Sequence, residues 1–162
     1  MPRIDVDIFD YASVSRAARR LDEYTADLIE KANELCRRLA EIGKASATIY
    51  FSGAIYDGTN DVKVGPVEPI NNGYAVHATG NAVLFIEFGS GTIGGGHPDV
   101  GPYGPGTWSD GPNGKGHWQE PGGWYYRHGM KSLGNPPAAA MYHAKQDVIE
   151  EVQRIAEEVF RA

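Results

Sequence analysis

The chain has 162 residues, a length that fits one domain, and we treat residues 1–162 as that domain. Its formal charge is −6 with 22% charged residues, so it lacks the excess of Lys and Arg that neutralises phosphates, and no sequence-specific nucleic-acid partner is predicted. A single cysteine excludes an internal disulfide framework. The longest apolar run, Ala82–Ile86, is too short to cross a bilayer, so no membrane partner is predicted.

Apolar residues at steps of three and four predict a long helix from about Ser13 to Ile42. Asp10 or Ser13 can cap its start, and Gly43 is expected to end it in a left-handed conformation. The stripe is nearly heptad, so a coiled-coil seam is an alternative to a single packed helix; Ala and Tyr in the seam favour the single helix. The stripe contains Val14, Ala17, Leu21, Tyr24, Leu28, Ala32, Leu35, Leu39 and Ile42.

A β region is expected after this helix. Alternation of apolar and polar side chains predicts a strand over Thr48–Tyr56. Two further strands, Val62–Ile70 and Gly73–Thr79, flank the dipeptide Asn72-Gly73, which is a strong signal for a hairpin because both turn positions need positive φ.

Two segments of this region depart from a regular strand pattern. Pro66 and Pro69 cannot donate to a ladder, so their strand is expected at an edge, bulged or broken. The segment Ala82–Phe88 is apolar on both faces, and periodicity does not decide between a buried strand and a short helix.

A long loop rich in Gly and Trp is predicted over residues 89–135. It holds 15 of the 21 glycines and all three tryptophans, and such a density of glycine breaks regular structure. Long loops in compact domains are generally functional or disordered, and the many aromatic residues favour packing against this domain or a neighbour. We therefore predict that the loop's aromatic residues form an interface. They are Trp108, Trp118, Trp124, Tyr125 and Tyr126.

A C-terminal helix is predicted to start at Pro136-Pro137, since proline suits a first helical turn, and to continue through Met141, Val148 and Val159. The fold class is therefore α+β. Its expected order is a long N-terminal helix, a small antiparallel sheet of three to four strands, the long glycine-rich loop and a C-terminal helix.

No catalytic, cofactor-binding or metal residue is predicted, and the chain is not expected to be an enzyme. Gly89–Gly94 fits the dinucleotide pattern GxGxxG, but the following residues cannot form the helix whose amides would hold a pyrophosphate. Cys36 lies on the first helix without an activating motif. The histidines lack metal-ligand spacing. Those considered are His97, His117, His128 and His143.

Glu87 is the most unusual charge in the chain, because it lies between Ile86 and Phe88. A general base is one interpretation. The favoured one is a carboxylate that accepts hydrogen bonds from the glycine turn just after it.

A second class of function also fits the aromatic loop, which is similar to carbohydrate-binding surfaces where rings stack on sugars. A polypeptide interface explains the same residues, since Trp and Tyr are common interface anchors.

Two segments of the sequence resemble one family of proteins. Gly80–Thr92 contains FIEFGSG, which is similar to the FIEFGTG signature of a family of small phage and prophage proteins typified by gene product ten of phage HK ninety-seven. Leu133–Ala144 resembles the family stretch that opens its C-terminal helix, and Trp118–Tyr126 resembles an aromatic segment of some members. Ser90 and Ala140 depart from the common family residues. The motif residues are Phe85, Glu87, Phe88, Gly89 and Gly91.

The resemblance implies assembly rather than catalysis. Members are described as tail components, neck proteins or head–tail joining proteins of tailed bacteriophages, so the chain is expected to be a structural component of a virion or prophage particle. The expected partners are other copies of the chain in a ring and other neck or tail proteins. The expected location is the head–tail region of the virion, and the bacterial host cytoplasm during assembly. Rings need heterologous contacts that close on themselves.

Overall fold

A computed structural model describes residues 4–56, 58–91, 97–99, 124–125, 131–132 and 134–161. It contains a long first helix, α1 (Tyr11–Gly53), a short helix, α2 (Val83–Phe88), and a C-terminal helix, α3 (Ala140–Arg161). Short strands lie between these helices. They are β1 (Lys63–Val64), β2 (Glu68–Ile70), β3 (Gly73–Ala75), β4 (Ala78–Thr79), β5 (Ser90–Gly91), β6 (Trp124–Tyr125), β7 (Lys131–Ser132) and β8 (Gly134–Asn135). The α+β class is confirmed.

The first helix is longer than predicted. It continues through Gly43, which was expected to end it, and through most of the strand predicted at Thr48–Tyr56. Gly43 permits a close helix contact, since a Cβ there would lie 3.1 Å from Cγ2 of Val148 on α3. Ala47 and Phe51 are buried in the core. Helix packing has overridden the alternating pattern, so both the Gly43 cap and the strand were wrong.

The predicted hairpin is present, and its turn lies one residue earlier than expected. β2 pairs antiparallel with β3, and Ile70 lies opposite Gly73, so Asn71 and Asn72 form the turn. The strand around the prolines is broken, as the sequence predicted: β1 ends at Val64 and β2 starts at Glu68. β1 pairs with β4 instead of continuing into the hairpin.

The described strands pair in four two-stranded antiparallel ribbons, where one sheet of three to four strands was expected. These are β1–β4, β2–β3, β5–β8 and β6–β7. Two-stranded ribbons are marginal by themselves, so they depend on the helices for support. The alternative left open for Ala82–Phe88 is resolved as a helix, α2.

The core lies where α1, α2 and α3 meet. Ile86 of α2 is 1% exposed and Phe51 of α1 is 2% exposed. Four alanines complete the buried cluster, which brings the helix backbones close together. They are Ala47, Ala82, Ala140 and Ala144.

The helices α1 and α3 run antiparallel. Val148 lies beside Gly43, and ten residues later Glu158 pairs with Arg38 at 3.0 Å. Val159 lies with Glu30 and Glu34 of α1 around a shallow cleft. The first part of α1, residues 11–26, therefore extends about four turns beyond the end of α3. We call it the α1 extension.

The α3 helix starts at Ala140, three to four residues after the predicted start at Pro136-Pro137. Ala139 precedes it with φ of 46°, a left-handed conformation that is uncommon for alanine. Its N–H donates to the carbonyl of Glu87 at 3.0 Å, and the Ala138 N–H donates to the carbonyl of Ile86 at 2.8 Å. These bonds to α2 hold the residues before Ala140 out of the helix.

Within the described ranges, neither long helix contains a stretch apolar enough to span a membrane.

Candidate functional site

The two segments that carry the family resemblance meet in the structure. α2 and β5 come from the first segment, and β8 with the start of α3 comes from the second. β5 pairs with β8 so that Ser90 lies opposite Asn135. We call this meeting point, with the side chains of Glu87, Ser90, His97 and Asn135, the α2–α3 junction. All four side chains belong to buried residues.

Glu87 joins the two segments through its carboxylate. Its Oε2 accepts the Met141 N–H at 2.8 Å, and its Oε1 accepts the Tyr142 N–H at 3.3 Å. These amides belong to the first turn of α3, where main-chain donors lack helical partners and the helix dipole favours negative charge. Glu87 therefore caps α3. The prediction that Glu87 accepts hydrogen bonds from main-chain amides is confirmed. The amides belong to α3, however, and not to the glycine turn that follows Glu87, as had been predicted.

His97 supplies a third donor to Glu87. Its Nε2 lies 3.1 Å from Oε1 of Glu87, and its Nδ1 lies 3.1 Å from the main-chain nitrogen of Asp99. Because the Asp99 amide can only donate, Nδ1 must accept and the ring proton resides on Nε2. In this tautomer the Nε2–H donates to a carboxylate in a buried site, where the low local dielectric strengthens a hydrogen bond.

Aromatic side chains enclose this pair. The ring of Phe88 lies 4.7 Å from the ring of His97, centroid to centroid, and the ring of Tyr142 meets His97 edge-on at 6.1 Å. On the exposed side, Lys145 pairs with Asp99 at 2.8 Å and lies 4.8 Å above the Tyr142 ring. Residues 97–99 are thus fixed to the first two turns of α3.

The rest of the junction is held by an amide and a hydroxyl. The main-chain N–H and the side-chain Nδ2 of Asn135 both donate to Oγ of Ser90, at 3.3 and 3.2 Å. Gly89 links α2 to this ribbon with φ of 75° and ψ of −179°, a region open essentially to glycine alone. Gly89 is therefore required by the backbone path that brings Ser90 to Asn135.

A further carboxylate fixes the entry to α2, and sequence reasoning missed it. Oδ2 of Asp61 accepts the Asn81 N–H at 2.9 Å, and Oδ1 accepts the Ala82 N–H at 2.9 Å. These main-chain hydrogen bonds, that of Asn81 first, lower the pKa of Asp61 below its ordinary value. Gly80 has φ of 137°, and a Cβ there would lie 2.8 Å from the Asp61 carbonyl oxygen, so the contact requires glycine.

The predicted interface residues are only partly within the described structure. Trp124 and Tyr125 form β6, whose backbone pairs with Ser132 and Lys131 of β7. Trp108, Trp118 and Tyr126 lie outside the described residues. The interface stays a prediction.

The predicted family-motif residues lie in α2 and the turn after it. Glu87 is buried, and Phe85 and Phe88 are half-buried. Gly89 links α2 to β5, and Gly91 is the second residue of β5. The GxGxxG pattern begins directly after helix α2, and the described residues before it do not form the strand that a dinucleotide fold needs.

Two of the four considered histidines lie in the described structure. His97 belongs to the junction, and the ring of His143 packs 5.1 Å from the ring of Tyr50. His117 and His128 lie outside the described residues. Among the residues the structure describes, no three His, Cys, Asp or Glu side chains gather as a metal-binding group.

Comparison of the whole chain with protein-family models, with curated proteins and with solved structures gives no match.

Proposed function

We propose that the chain is a structural component of a tailed-phage or prophage particle, acting in a ring at the head–tail junction or in tail completion. The proposal rests on the sequence resemblance described above. It includes other copies of the chain and neighbouring neck or tail proteins as partners, and the head–tail region of the virion as the location.

The structural observation that best supports the proposal is the use of Glu87. Both of its oxygens already accept hydrogen bonds, from Met141, Tyr142 and His97. A carboxylate that caps a helix and is 6% exposed has no free face from which to abstract a proton from a substrate. Glu87, the most distinctive residue of the signature, thus joins α2 to the start of α3 by hydrogen bonds. This use favours an architectural role for the signature.

The distribution of apolar side chains also supports a role in assembly. Phe9 is 94% exposed, Tyr11 is 86% exposed and Leu21 is 54% exposed, all at one end of the molecule. Large apolar side chains left in water in one region of a protein can be covered by another chain. A subunit of a larger particle has a use for such a surface.

The proposal is tested by deleting the gene from the phage or prophage that encodes it and examining the lysate by electron microscopy. We expect filled heads and free tails, or heads alone, in place of joined particles. A plasmid-borne copy of the chain should restore joined particles and be detected in them by mass spectrometry. Infectious particles of normal appearance without the chain would contradict the proposal.

A second measurement separates this role from carbohydrate binding by the aromatic loop. Soluble glycans should leave the tryptophan fluorescence of the purified chain unchanged, whereas Trp124→Ala should reduce its incorporation into particles. Saturable quenching by a glycan at micromolar concentration would replace the proposed function with the carbohydrate-binding one.

A further inference from the structure

One face of α1 carries apolar side chains that stay exposed to water. Val14, Leu21 and Leu28 follow one another at intervals of seven residues and are 42%, 54% and 37% exposed. Three small exposed side chains lie on the same face, because they continue the row at steps of four and three residues. We call these six residues the exposed seam. They are Val14, Ala18, Leu21, Thr25, Leu28 and Ala32.

The exposed seam is not the face of α1 that the end of α3 reaches. Val159 of α3 shares a shallow cleft with Asp27 and Lys31. Leu28 and Ala32 each lie one residue further along the helix and remain exposed. Since successive helix residues point about 100° apart, these two side chains belong to a neighbouring face.

The backbone of the exposed seam is already helical. The seam lies within the continuous helix α1 and spans about 27 Å from residue 14 to residue 32. Most of this length belongs to the α1 extension. A partner that packs on the seam therefore does not have to order the chain first, and the entropy lost on binding is small.

Large and small side chains alternate along the exposed seam. The large ones are at positions 14, 21 and 28, and the small ones are at positions 18, 25 and 32. In a parallel pair of helices, equivalent positions share a layer, so small would face small and large would face large. In an antiparallel pair, each small side chain faces a large one and every layer is filled evenly. The seam thus favours an antiparallel copy of itself.

One antiparallel register matches every member of the exposed seam with another member. With the two-fold axis at the level of Glu23, Val14 faces Ala32 of the second copy. Ala18 then faces Leu28 of the second copy, and Leu21 faces Thr25. The symmetry repeats these three layers, which gives six in all.

Charge along α1 favours the same orientation. Residues 11–21 contain three arginines and no acidic residue, whereas residues 22–30 contain four acidic residues and no basic one. Antiparallel pairing sets the basic segment of each copy beside the acidic segment of the other. Parallel pairing sets like charges beside each other, which is unfavourable.

Most of these charges are available to a partner. Arg16 lies 3.7 Å from Asp10, and Asp27 lies 3.4 Å from Lys31, both as exposed pairs that contribute little. The remaining charged side chains of the two segments form no ion pair with another residue that the structure describes. They are Arg19, Arg20, Asp22, Glu23 and Glu30.

We propose that two copies of the chain pair through their exposed seams, antiparallel about a two-fold axis at the level of Glu23. The contact is isologous, since both copies use the same surface, and it closes on two copies. The inference goes beyond the proposed function, because it concerns the free chain and does not depend on a role in a particle.

The size of the contact sets the strength to expect. Each copy contributes three large side chains, and each of these is already partly covered within its own chain. The buried area is therefore below the roughly 1,600 Å² of a standard interface. We expect a weak dimer whose population rises with protein concentration.

Cysteine cross-linking distinguishes the two orientations. Cys36→Ser first removes the one free cysteine, which is exposed. A tagged Ala18→Cys chain and an untagged Leu28→Cys chain, both with Cys36→Ser, are then mixed under mild oxidation. Residues 18 and 28 share a layer of the antiparallel dimer, so the mixed disulfide should form at least tenfold faster than either homodisulfide. The matched control is Ile49→Cys, at a position that is 69% exposed on α1 outside the seam, and it should cross-link slowly to both.

Sedimentation velocity measures the association directly. From about 1 μM to about 1 mM the unmodified chain should shift from monomer to dimer, and Leu21→Asp should weaken that association at least tenfold. Ile49→Asp should leave it unchanged, and far-UV circular dichroism checks that both variants are folded. A chain that stays monomeric throughout this range, or homodisulfides that form as fast as the mixed one, would overturn the inference.

Incorporation into particles separates this inference from the proposed function. If the purified chain stays monomeric and Leu21→Asp still prevents incorporation, a different neck or tail protein covers the exposed seam, and the inference is wrong while the function stands. If the mixed disulfide forms but deletion of the gene leaves particles intact, the dimer stands and the proposed function is wrong.

Discussion

The two long helices begin with the same chemistry in opposite surroundings. At the start of α1, the carboxylate of Asp10 accepts the main-chain N–H groups of Ala12 and Ser13 at 3.0 and 3.1 Å, and Asp10 is exposed. At the start of α3, the carboxylate of Glu87 accepts two amides in the same way from a buried position 54 residues earlier in the chain. One cap is local and solvated, and the other joins distant segments inside the protein.

This difference separates a region that stabilises the fold, the α2–α3 junction, from a region that exposes apolar side chains to water, the α1 extension. The α2–α3 junction buries polar groups and satisfies them, so each member depends on the others. The α1 extension does the reverse and leaves large apolar side chains in water, among them Val14 and Leu21, although Ala17 is buried. We therefore expect substitutions at the junction to affect folding, and substitutions near the start of α1 to affect association.

The largest expected effect is the loss of the buried cap. Glu87→Ala leaves the His97 Nε2–H and the Met141 and Tyr142 N–H groups without their acceptor, and because each buried donor left unsatisfied costs about 1–3 kcal/mol, the total loss should be about 3–5 kcal/mol. Urea denaturation followed by far-UV circular dichroism measures the loss. Glu87→Gln, which keeps the shape and one acceptor oxygen, should cost less, about 1–3 kcal/mol. A fully stable Glu87→Ala chain would show that the junction does not hold the fold together.

Truncation of equivalent apolar side chains sharpens the comparison. Ile86→Ala removes a side chain that is 1% exposed and should lower the free energy of unfolding by about 3 kcal/mol. Leu21→Ala removes one that is 54% exposed in the α1 extension and should change it by no more than about 0.5 kcal/mol. Both are measured by denaturation at low protein concentration. Similar losses at the two positions would mean that the α1 extension is part of the folded core.

The carboxylate of Asp61 is an intermediate case, since it is half-buried and caps the turn before α2. Its hydrogen bonds lower its pKa in the folded protein, so it stabilises the fold above the unfolded pKa of about 3.9. That contribution is lost as the pH falls through the lowered folded value. The stability difference between the unmodified chain and Asp61→Asn should therefore be constant near neutral pH and shrink toward zero in acid. A difference independent of pH would contradict this assignment.

How far the sequence predicts the fold depends on whether the controlling interaction is local. The Asp10 cap was predictable because a capping carboxylate and its amides lie within three residues. The hairpin was predictable from the Asn72-Gly73 signal, although its turn is formed by Asn71 and Asn72. The extent of α1 was not, because Gly43 is read locally as a stop signal, while in the structure it provides a close contact with Val148. That contact joins segments about 100 residues apart.

The candidate site divides in the same way. Glu87 attracts attention in the sequence because it interrupts an apolar run, but its partners in α3 depend on the path of the chain between the two segments. His97 offered no local sign that it would pair with Glu87. Asp61 was missed for the same reason, since its amide partners are 20 and 21 residues away. The residue types indicated which side chains could accept or donate hydrogen bonds, but the sequence did not indicate which distant residues would be their partners.

The smallest effect is expected from the solvated cap, and it should appear in a different measurement. Asp10→Ala removes the acceptor for the Ala12 and Ser13 amides, a change that costs about 1 kcal/mol at a helix start. Because α3 does not cover residues 11–26, this loss should appear as fraying of the first turns of α1 rather than as a shift of the global unfolding midpoint. Hydrogen exchange should therefore accelerate about fivefold in the amides just after residue 14, while those beyond Arg38 keep their protection. Asp22→Ala, a surface carboxylate on the same helix, is the control and should leave exchange at the helix start unchanged. If Asp10→Ala instead lowers the global midpoint as Ile86→Ala does, the start of α1 unfolds together with the core, and the contrast between the two caps is wrong.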